Sequence, residues 1–283
     1  QSFSMPDPKL YASADEIIKH ELIHVVLTGG EPLLRGYQVV ELAQQFTDAG
    51  MDLSLNSDLK QLTGDLASAL HNAGIKSTLT SIIHHKPNVH DNVTQVNGSL
   101  EATLRGIKTA RQAGINVSAN MVVYHETVND VYDVGKFLVE NYSIKGFCAT
   151  RVNASEPAVI QGVNRLNRND ITIVLDSLLQ LQQEFGIEVN TLNPLPHCFG
   201  DDWLKYDTTF RKACGAGKIF IGIAANGDVK ACHHSNIVEG NMLKESLTTI
   251  WQRMDQWRTD AILPDKCQDC PEKPQCRGGC REY

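Results

Sequence analysis

The sequence predicts an α/β protein in which alternating strands and helices build a parallel sheet, followed by a small cysteine-rich domain. Three observations carry that prediction. Over the first two thirds of the chain, a short apolar β-branched run, a polar turn and a helical pattern repeat in succession. Glycine closes several of the helical patterns just before the next strand, at Gly50, Gly74, Gly114 and Gly186, where a helix C-cap is expected. Six of the eight cysteines fall in the last seventy residues.

Taken in order, the apolar runs predict strands over Ile23 to Thr28, Asp52 to Asn56, Ser77 to Ser81, Asn116 to Val123, Ile144 to Arg151 and Glu188 to Leu192. Between them, apolar residues recurring at three and four predict helices over Tyr37 to Ala49, Leu62 to Ala73, Leu100 to Ala113, Asn129 to Asn141 and Asn169 to Phe185. Strand–helix alternation implies a parallel sheet, and right-handed crossovers allow either a barrel or a doubly wound sheet. Periodicity does not choose between them. In both, chemistry gathers at the C-terminal ends of the strands. The division expected is 1–192 for the sheet domain and 193–283 for the cysteine-rich one.

Composition narrows the function. At 283 residues, 42% hydrophobic and 21% charged, the chain reads as an ordinary globular protein with room for one large domain and one small one. A formal charge of -7 argues against a nucleic-acid footprint, which needs a basic face. No apolar run approaches the roughly 20 residues that span a bilayer, and nothing reads as a signal peptide. Eight cysteines without a secretory signal fit a reducing cytoplasm, where thiols stay free for metal.

The end of the first predicted strand reads Val25-Val26-Leu27-Thr28-Gly29-Gly30-Glu31-Pro32-Leu33. Two glycines let a ligand approach the backbone, Pro32 fixes the exit of the turn, and Glu31 offers a carboxylate to an ammonium group. Alone, the motif is equally a tight turn between strand and helix.

The cysteines form two blocks. Cys214, twelve residues, Gly227, four residues and Cys232 make the first; Cys267-x2-Cys270-x5-Cys276-x3-Cys280 makes the second. Thiolates at such intervals are metal ligands. Structural zinc and iron–sulfur clusters both take four thiolates.

With both features, the chain resembles the radical S-adenosylmethionine (radical SAM) superfamily, in particular its SPASM branch, whose C-terminal extension carries auxiliary iron–sulfur clusters. The resemblance implies a partial (β/α)6 barrel lacking its first strand in this chain, followed by a SPASM domain. It implies [4Fe-4S] clusters rather than zinc, and S-adenosylmethionine held at Gly29, Gly30, Glu31 and Pro32. Ribose and carboxylate contacts fall on Asn56, Ser81 and Asn120. Arg151 either grips a carboxylate of cofactor or peptide or is a structural ion-pair partner.

The family pattern also divides the thiolates. It gives one auxiliary cluster to Cys198, Cys214, Cys232 and Cys280, and the other to Cys267, Cys270 and Cys276, one ligand short. Cys148 is expected to face the core. The Cys-x3-Cys-x2-Cys motif that binds the catalytic cluster is not in this sequence, whose first cysteine is Cys148. Because the sequence starts at Gln1, the expectation is that the motif precedes it; the alternative is a chain that lost the radical site.

The implied activity is cleavage of S-adenosylmethionine to a 5'-deoxyadenosyl radical, which abstracts hydrogen from a peptide or protein. Cross-linking, oxidation or epimerisation follows, in ribosomal peptide maturation or sulfatase-type maturation, with a reductant such as flavodoxin or ferredoxin and without nucleic acid or membrane. A non-catalytic electron-transfer or peptide-binding module is the alternative. No general base can be singled out. The histidines His84, His85, His90, His233 and His234 read as loop residues, the last two near enough to a cluster ligand to donate hydrogen bonds to it. Trp251 to Trp257 reads as an amphipathic helix whose tryptophans pack against the barrel.

Overall fold

The computed structural model describes residues 7–20, 22–152, 166–199, 203–206, 210, 213–259 and 261–281. Its main sheet has six strands: β1 (His24–Leu27), β2 (Asp52–Asn56), β3 (Ile75–Ser81), β4 (Asn116–Val123), β5 (Gly146–Arg151) and β6 (Glu188–Asn190). Every neighbouring pair is parallel, and the spatial order is the chain order. That order settles the choice periodicity left open. A doubly wound sheet reverses direction and returns past its first strand, whereas a sheet wound always in one sense is a barrel-type sheet.

Helices α1 (Asp7–Ile18), α2 (Tyr37–Asp48), α3 (Gly64–Asn72), α4 (Pro87–Thr94), α5 (Ser99–Gln112), α6 (Val131–Tyr142) and α7 (Arg168–Phe185) accompany the strands. Each starts and stops for local reasons. Thr63 accepts the Leu66 amide at the head of α3, and Asn167 with Asp170 closes a capping box at the head of α7. Gly186 ends α7 in the left-handed region at φ 63°. Gly74 follows α3 at φ 105°, where a Cβ would meet Thr47 Oγ1 at 2.0 Å.

Two helices were not expected. In α1, Leu10, Ala14, Ile17 and Ile18 lie at helical spacing and pack on the main core. In α4, Val89 and Val93 are the only large apolar residues, too few for a stripe, and Pro87 at its first turn starts the helix.

The helices cover one face of the sheet. Leu53, Leu55, Val117, Ala119, Met121, Val123, Phe147 and Ala149 are all buried there. The opposite face takes the alternate residues. By register these include Val26 on β1, Ser54 and Asn56 on β2, Ser77, Leu79 and Ser81 on β3, Asn116, Ser118, Asn120 and Val122 on β4, Cys148 and Thr150 on β5, and Asn190 on β6. Parallel strands buried on both sides read as continuous apolar runs. These largely alternate, so the helix-covered face is mainly apolar and the other carries most of the polar side chains.

A second, smaller core lies in the C-terminal part. It holds Ala216, Val229, Ala231, Cys232, Met242, Leu247, Ile250, Met254 and Trp257. Around it run the antiparallel strands β7 (Gly222–Ile223), β8 (Asp228–Lys230) and β9 (Gly240–Asn241), and the short helices α8 (Leu247–Gln252), α9 (Asp255–Arg258) and α10 (Lys273–Cys276). Leu195, Tyr206 and Phe210 lie beyond the expected boundary at 192 yet belong to the main core. Ile17 of α1 packs on both cores.

Candidate functional site

Strand β1 delivers the chain to Gly29, whose φ of 154° is one that side-chain-bearing residues rarely adopt. A Cβ built on Gly29 or Gly30 meets nothing within 4 Å. The glycines are therefore not demanded by packing within the chain; they leave open space beside the backbone, a cradle at the strand end.

Glu31 turns out to be occupied. Its Oε1 accepts the Leu33 amide at 2.9 Å and the Ser57 hydroxyl at 2.7 Å, and its Oε2 accepts the Asp58 amide at 2.8 Å. It caps the 3-10 turn Pro32–Arg35 and ties the exit of β1 to the exit of β2. A carboxylate has about four lone-pair directions, so one on Oε2 stays open to a ligand. Ser57, in turn, accepts the Leu59 amide at 2.9 Å.

The structure brings Asn56, Ser81 and Asn120 onto one face, the polar one, with Ser81 and Asn120 direct register partners. Asn120 is buried, and its Oδ1 accepts the Thr150 hydroxyl at 2.6 Å. Cys148, expected in the core, is its register partner on β5 and also pairs with Asn190. Cys148 is buried, as expected, and strand alternation places it on the polar face, because Phe147 and Ala149 take the helix-covered one. Arg151 is one residue out of phase, in register with Val123, and its guanidinium lies 5.6 Å from the centre of the Phe199 ring. It therefore points to the 194–199 loop and not to Asn120.

The cysteines lie at the small core and around the 194–199 loop. Cys214 packs against the small core that contains Cys232, and the Gly217 amide donates to the Ala231 carbonyl at 3.1 Å, joining their two segments. Cys198 lies in the 3-10 turn His197–Phe199. The amide of its neighbour His197 donates to Cys276 Sγ at 3.3 Å. Burial first, and then the neighbouring Cys276, Cys198 and Cys270 thiols, push the Cys267 thiol above its ordinary range. The loop that carries Cys198 is thus bonded to the segment that carries Cys276. Cys280 is fixed to the same loop through its amide, 2.9 Å from the Pro194 carbonyl.

The histidines serve the loops. His84 Nδ1 accepts the Lys86 amide and its Nε2 lies 3.5 Å from Asp130, while His90 Nδ1 accepts the Ile83 amide. Burial and the adjacent His234 push His233 down to about 4, so it is neutral at ordinary pH. Trp257 lies inside the small core, with its indole N–H on Glu239 at 2.7 Å, and Trp251 stacks against Arg258. The expected single helix is two short ones broken around Met254, and the tryptophans pack within the C-terminal domain, not on the barrel.

Against known families, residues 2–138 match the model of the radical SAM superfamily, and residues 214–271 match SPASM, an iron–sulfur cluster-binding domain. The chain belongs to the radical SAM superfamily and carries a SPASM domain. Among similar proteins, an AdoMet-dependent heme synthase of Methanosarcina barkeri is 25% identical over 91% of this chain and 76% of its own length. A PqqA peptide cyclase of Rhizobium meliloti is 23% identical over 92% of this chain and 69% of its own. Among solved structures, anSMEcpe with bound AdoMet superposes with TM-score 0.74 at 15% identity, over 98% of this chain and 80% of that one. Streptococcus suis SuiB bound to precursor peptide SuiA gives 0.74 at 16% identity, over 96% of this chain and 67% of that one. These likenesses show the fold.

Membership makes [4Fe-4S] clusters and S-adenosylmethionine the groups this radical SAM chain serves, and the residues present fit them. The cradle at Gly29 and Gly30 is space a Cβ would fill. The donor set in the SPASM domain is thiolate, and a backbone amide already donates to one of its sulfurs, the kind of contact that sets cluster potentials. Among the described residues, no three His, Cys, Asp or Glu side chains converge closely enough for a single ion. None of their helices is long and apolar enough to cross a membrane.

Proposed function

We propose that this radical SAM/SPASM chain modifies a peptide or protein, forming a cross-link or carrying out an oxidation or epimerisation. The observation that carries this reading is the open cradle at Gly29 and Gly30, set beside the polar face of the sheet through the Glu31–Ser57 bond. Bound there, S-adenosylmethionine supplies a 5'-deoxyadenosyl radical when a reduced cluster gives it one electron.

The chain's own residues bind and orient. The carbonyls of Gly29 and Gly30, with the free direction of Glu31, receive the methionyl ammonium. Glu31 also fixes the turn that presents those carbonyls, and Pro32 sets its exit. Asn56, Ser81 and Asn120 bind the ribose and carboxylate from the polar face. Arg151, stacked on Phe199, stands toward the SPASM side, where it takes a peptide carboxylate. Cys198, Cys214, Cys232, Cys267, Cys270, Cys276 and Cys280 hold auxiliary clusters. Residues 1–192 form the radical SAM part, to whose core Leu195, Tyr206 and Phe210 also contribute, and 193–283 otherwise form the SPASM part, working in the cytoplasm with flavodoxin or ferredoxin as reductant.

Peptide substrates are supported by the names of relatives, the PqqA peptide cyclases, and by structural neighbours carrying bound peptides. A second reading, chemistry on a tetrapyrrole, is favoured by the heme synthases of similar identity.

The test uses protein expressed with whatever natural sequence precedes Gln1 in its gene, reconstituted anaerobically and reduced with dithionite. Formation of 5'-deoxyadenosine with a mass change on a precursor peptide encoded beside the gene supports the proposal. A change on a porphyrin substrate instead supports the second reading. Clusters without any cleavage of S-adenosylmethionine would favour the non-catalytic module.

A further inference from the structure

The polar face of the sheet carries one continuous row. Ser81, Asn120, Cys148 and Asn190 are direct register partners across β3, β4, β5 and β6, so they stand side by side at one level. Neighbouring strands lie about 4.8 Å apart, which puts Asn190 roughly 10 Å beyond Asn120. Of this row, the cofactor reading uses Ser81 and Asn120. The other end is left for a second molecule.

Asn190 is held in one pose. The Leu192 amide donates to its Oδ1 at 3.0 Å, and because an N–H can bond only the oxygen of a carboxamide, the orientation of the group is fixed. Its Nδ2 makes no hydrogen bond among the described residues, although the side chain is only half-exposed. With Oδ1 turned to its own chain, the two Nδ2 hydrogens are the end left for a ligand.

The turn that Asn190 caps is strained. Leu192 takes φ 51°, in the left-handed region that side-chain-bearing residues rarely adopt, and its apolar side chain is 42% exposed. Thr191, beside it, is buried, and its hydroxyl donates to the Asn193 carbonyl at 3.0 Å. The Thr150 hydroxyl lies 2.6 Å from Asn120 Oδ1 and 3.2 Å from the Thr191 carbonyl, so the exit of β6 is braced against the cofactor end of the row. Backbone strain persists only where surrounding contacts impose it, and it collects at functional positions.

From this row we infer that Asn190 binds the substrate, its Nδ2 donating to a backbone carbonyl oxygen of the peptide. The inference rests on the peptide-modifying reading and deepens it, because it favours one of the two substrate classes. Neither the row nor the adjoining Thr150 carries a charge, and Arg151 is out of phase, over the Phe199 ring. Neutral donors in a half-buried place suit a neutral acceptor, since a carboxylate brought there would lose hydration with no cation on the row to offset it. A peptide carbonyl is neutral; the propionates of a tetrapyrrole are not.

The test separates substrate binding from turn capping. Asn190→Asp keeps an oxygen for the Leu192 amide but removes both donors and sets a negative charge against the carbonyl. Protein carrying its natural sequence before Gln1 is reconstituted anaerobically, left unreduced, and titrated with the fluorescein-labelled precursor peptide encoded beside its gene, with S-adenosylmethionine present. Fluorescence anisotropy should show the peptide bound at least about tenfold more weakly by Asn190→Asp than by wild type. The dissociation constant of S-adenosylmethionine, from equilibrium dialysis, and the urea midpoint should both stay at their wild-type values. Asn190→Ala, which also loses the cap, should lower the urea midpoint as well.

Equal peptide affinity in wild type and Asn190→Asp overturns the inference, and so does a loss of peptide binding that comes only with a lower urea midpoint or weaker S-adenosylmethionine binding. Wild-type protein that does not bind the peptide, whether or not it binds a porphyrin with four propionates, overturns the peptide reading itself, which is a different result.

Discussion

At the scale of single residues, the decisive finding is how Glu31 spends its carboxylate. Three of its hydrogen bonds go to its own chain, one of them from Ser57, which is buried and bonded on both sides. Ser57→Ala leaves the Leu59 amide and Glu31 Oε1 each short of a partner, which should cost about 1–3 kcal/mol in urea unfolding. If Glu31 sets the cradle as proposed, Glu31→Gln should weaken S-adenosylmethionine binding about tenfold or more in equilibrium dialysis, since it removes a charge-assisted contact. An unchanged dissociation constant would leave Glu31 a purely structural cap. A second residue-scale prediction concerns His125, whose Nδ1 lies 2.8 Å from the buried carboxylate of Asp170, and this bond raises its pKa above the ordinary 6.5. Stabilisation by the charged imidazole is then fully present below pH 6.5 and lost as pH rises through the raised value. The urea midpoint of the protein should fall over that window relative to the midpoint of His125→Gln, and two parallel pH curves would refute the assignment. The sequence showed the residue types of this site but not their partners, because Glu31 and Ser57 lie 26 positions apart.

At the scale of elements, the strand starts and stops were legible because apolar runs and C-terminal glycines are local signals. Strands β2 and β4 coincide with the predicted bounds, Asp52–Asn56 and Asn116–Val123. Helix α4 was not legible, because it has no apolar stripe to announce it. Its place is held instead by Asp91, which accepts the Gly98 and Leu100 amides at 2.7 and 2.9 Å and so has a pKa below its ordinary value. That contribution is present above pH 3.8 and lost as pH falls through the lowered value, and Asp91→Asn should lower the urea midpoint at neutral pH and flatten this acid limb. Helix α5 gives a sharper prediction. Gly106 faces the backbone of Leu59, where a Cβ would lie 2.2 Å from its carbonyl oxygen. Although alanine favours helices, Gly106→Ala should destabilise by about 1–3 kcal/mol in chemical denaturation, because overpacking against backbone has no side chain to move aside.

At the scale of the molecule, two cores of unequal size share helix α1. Ile17 packs on both. The C-terminal core is small, so thiolate–metal links carry much of its order. Removing iron with a chelator should expose residues 214–281 to limited proteolysis while the barrel fragment resists. Equal resistance before and after removal would show that the small core holds alone.

The sequence by itself determined the alternation of elements, the glycine cradle and the cysteine blocks, since each is written in neighbouring residues. It also held an unread signal: the period-two polarity of Ser54 and Asn56, of Ser118 and Asn120, and of Cys148 and Thr150 marks a sheet with one polar face. Only the tertiary structure decided which face Cys148 takes, that Arg151 meets Phe199, and that Glu31 is bonded to the turn after the next strand. Each depends on chain segments that packing brings together across tens of residues, and spacing in one dimension does not encode which loop will lie against which.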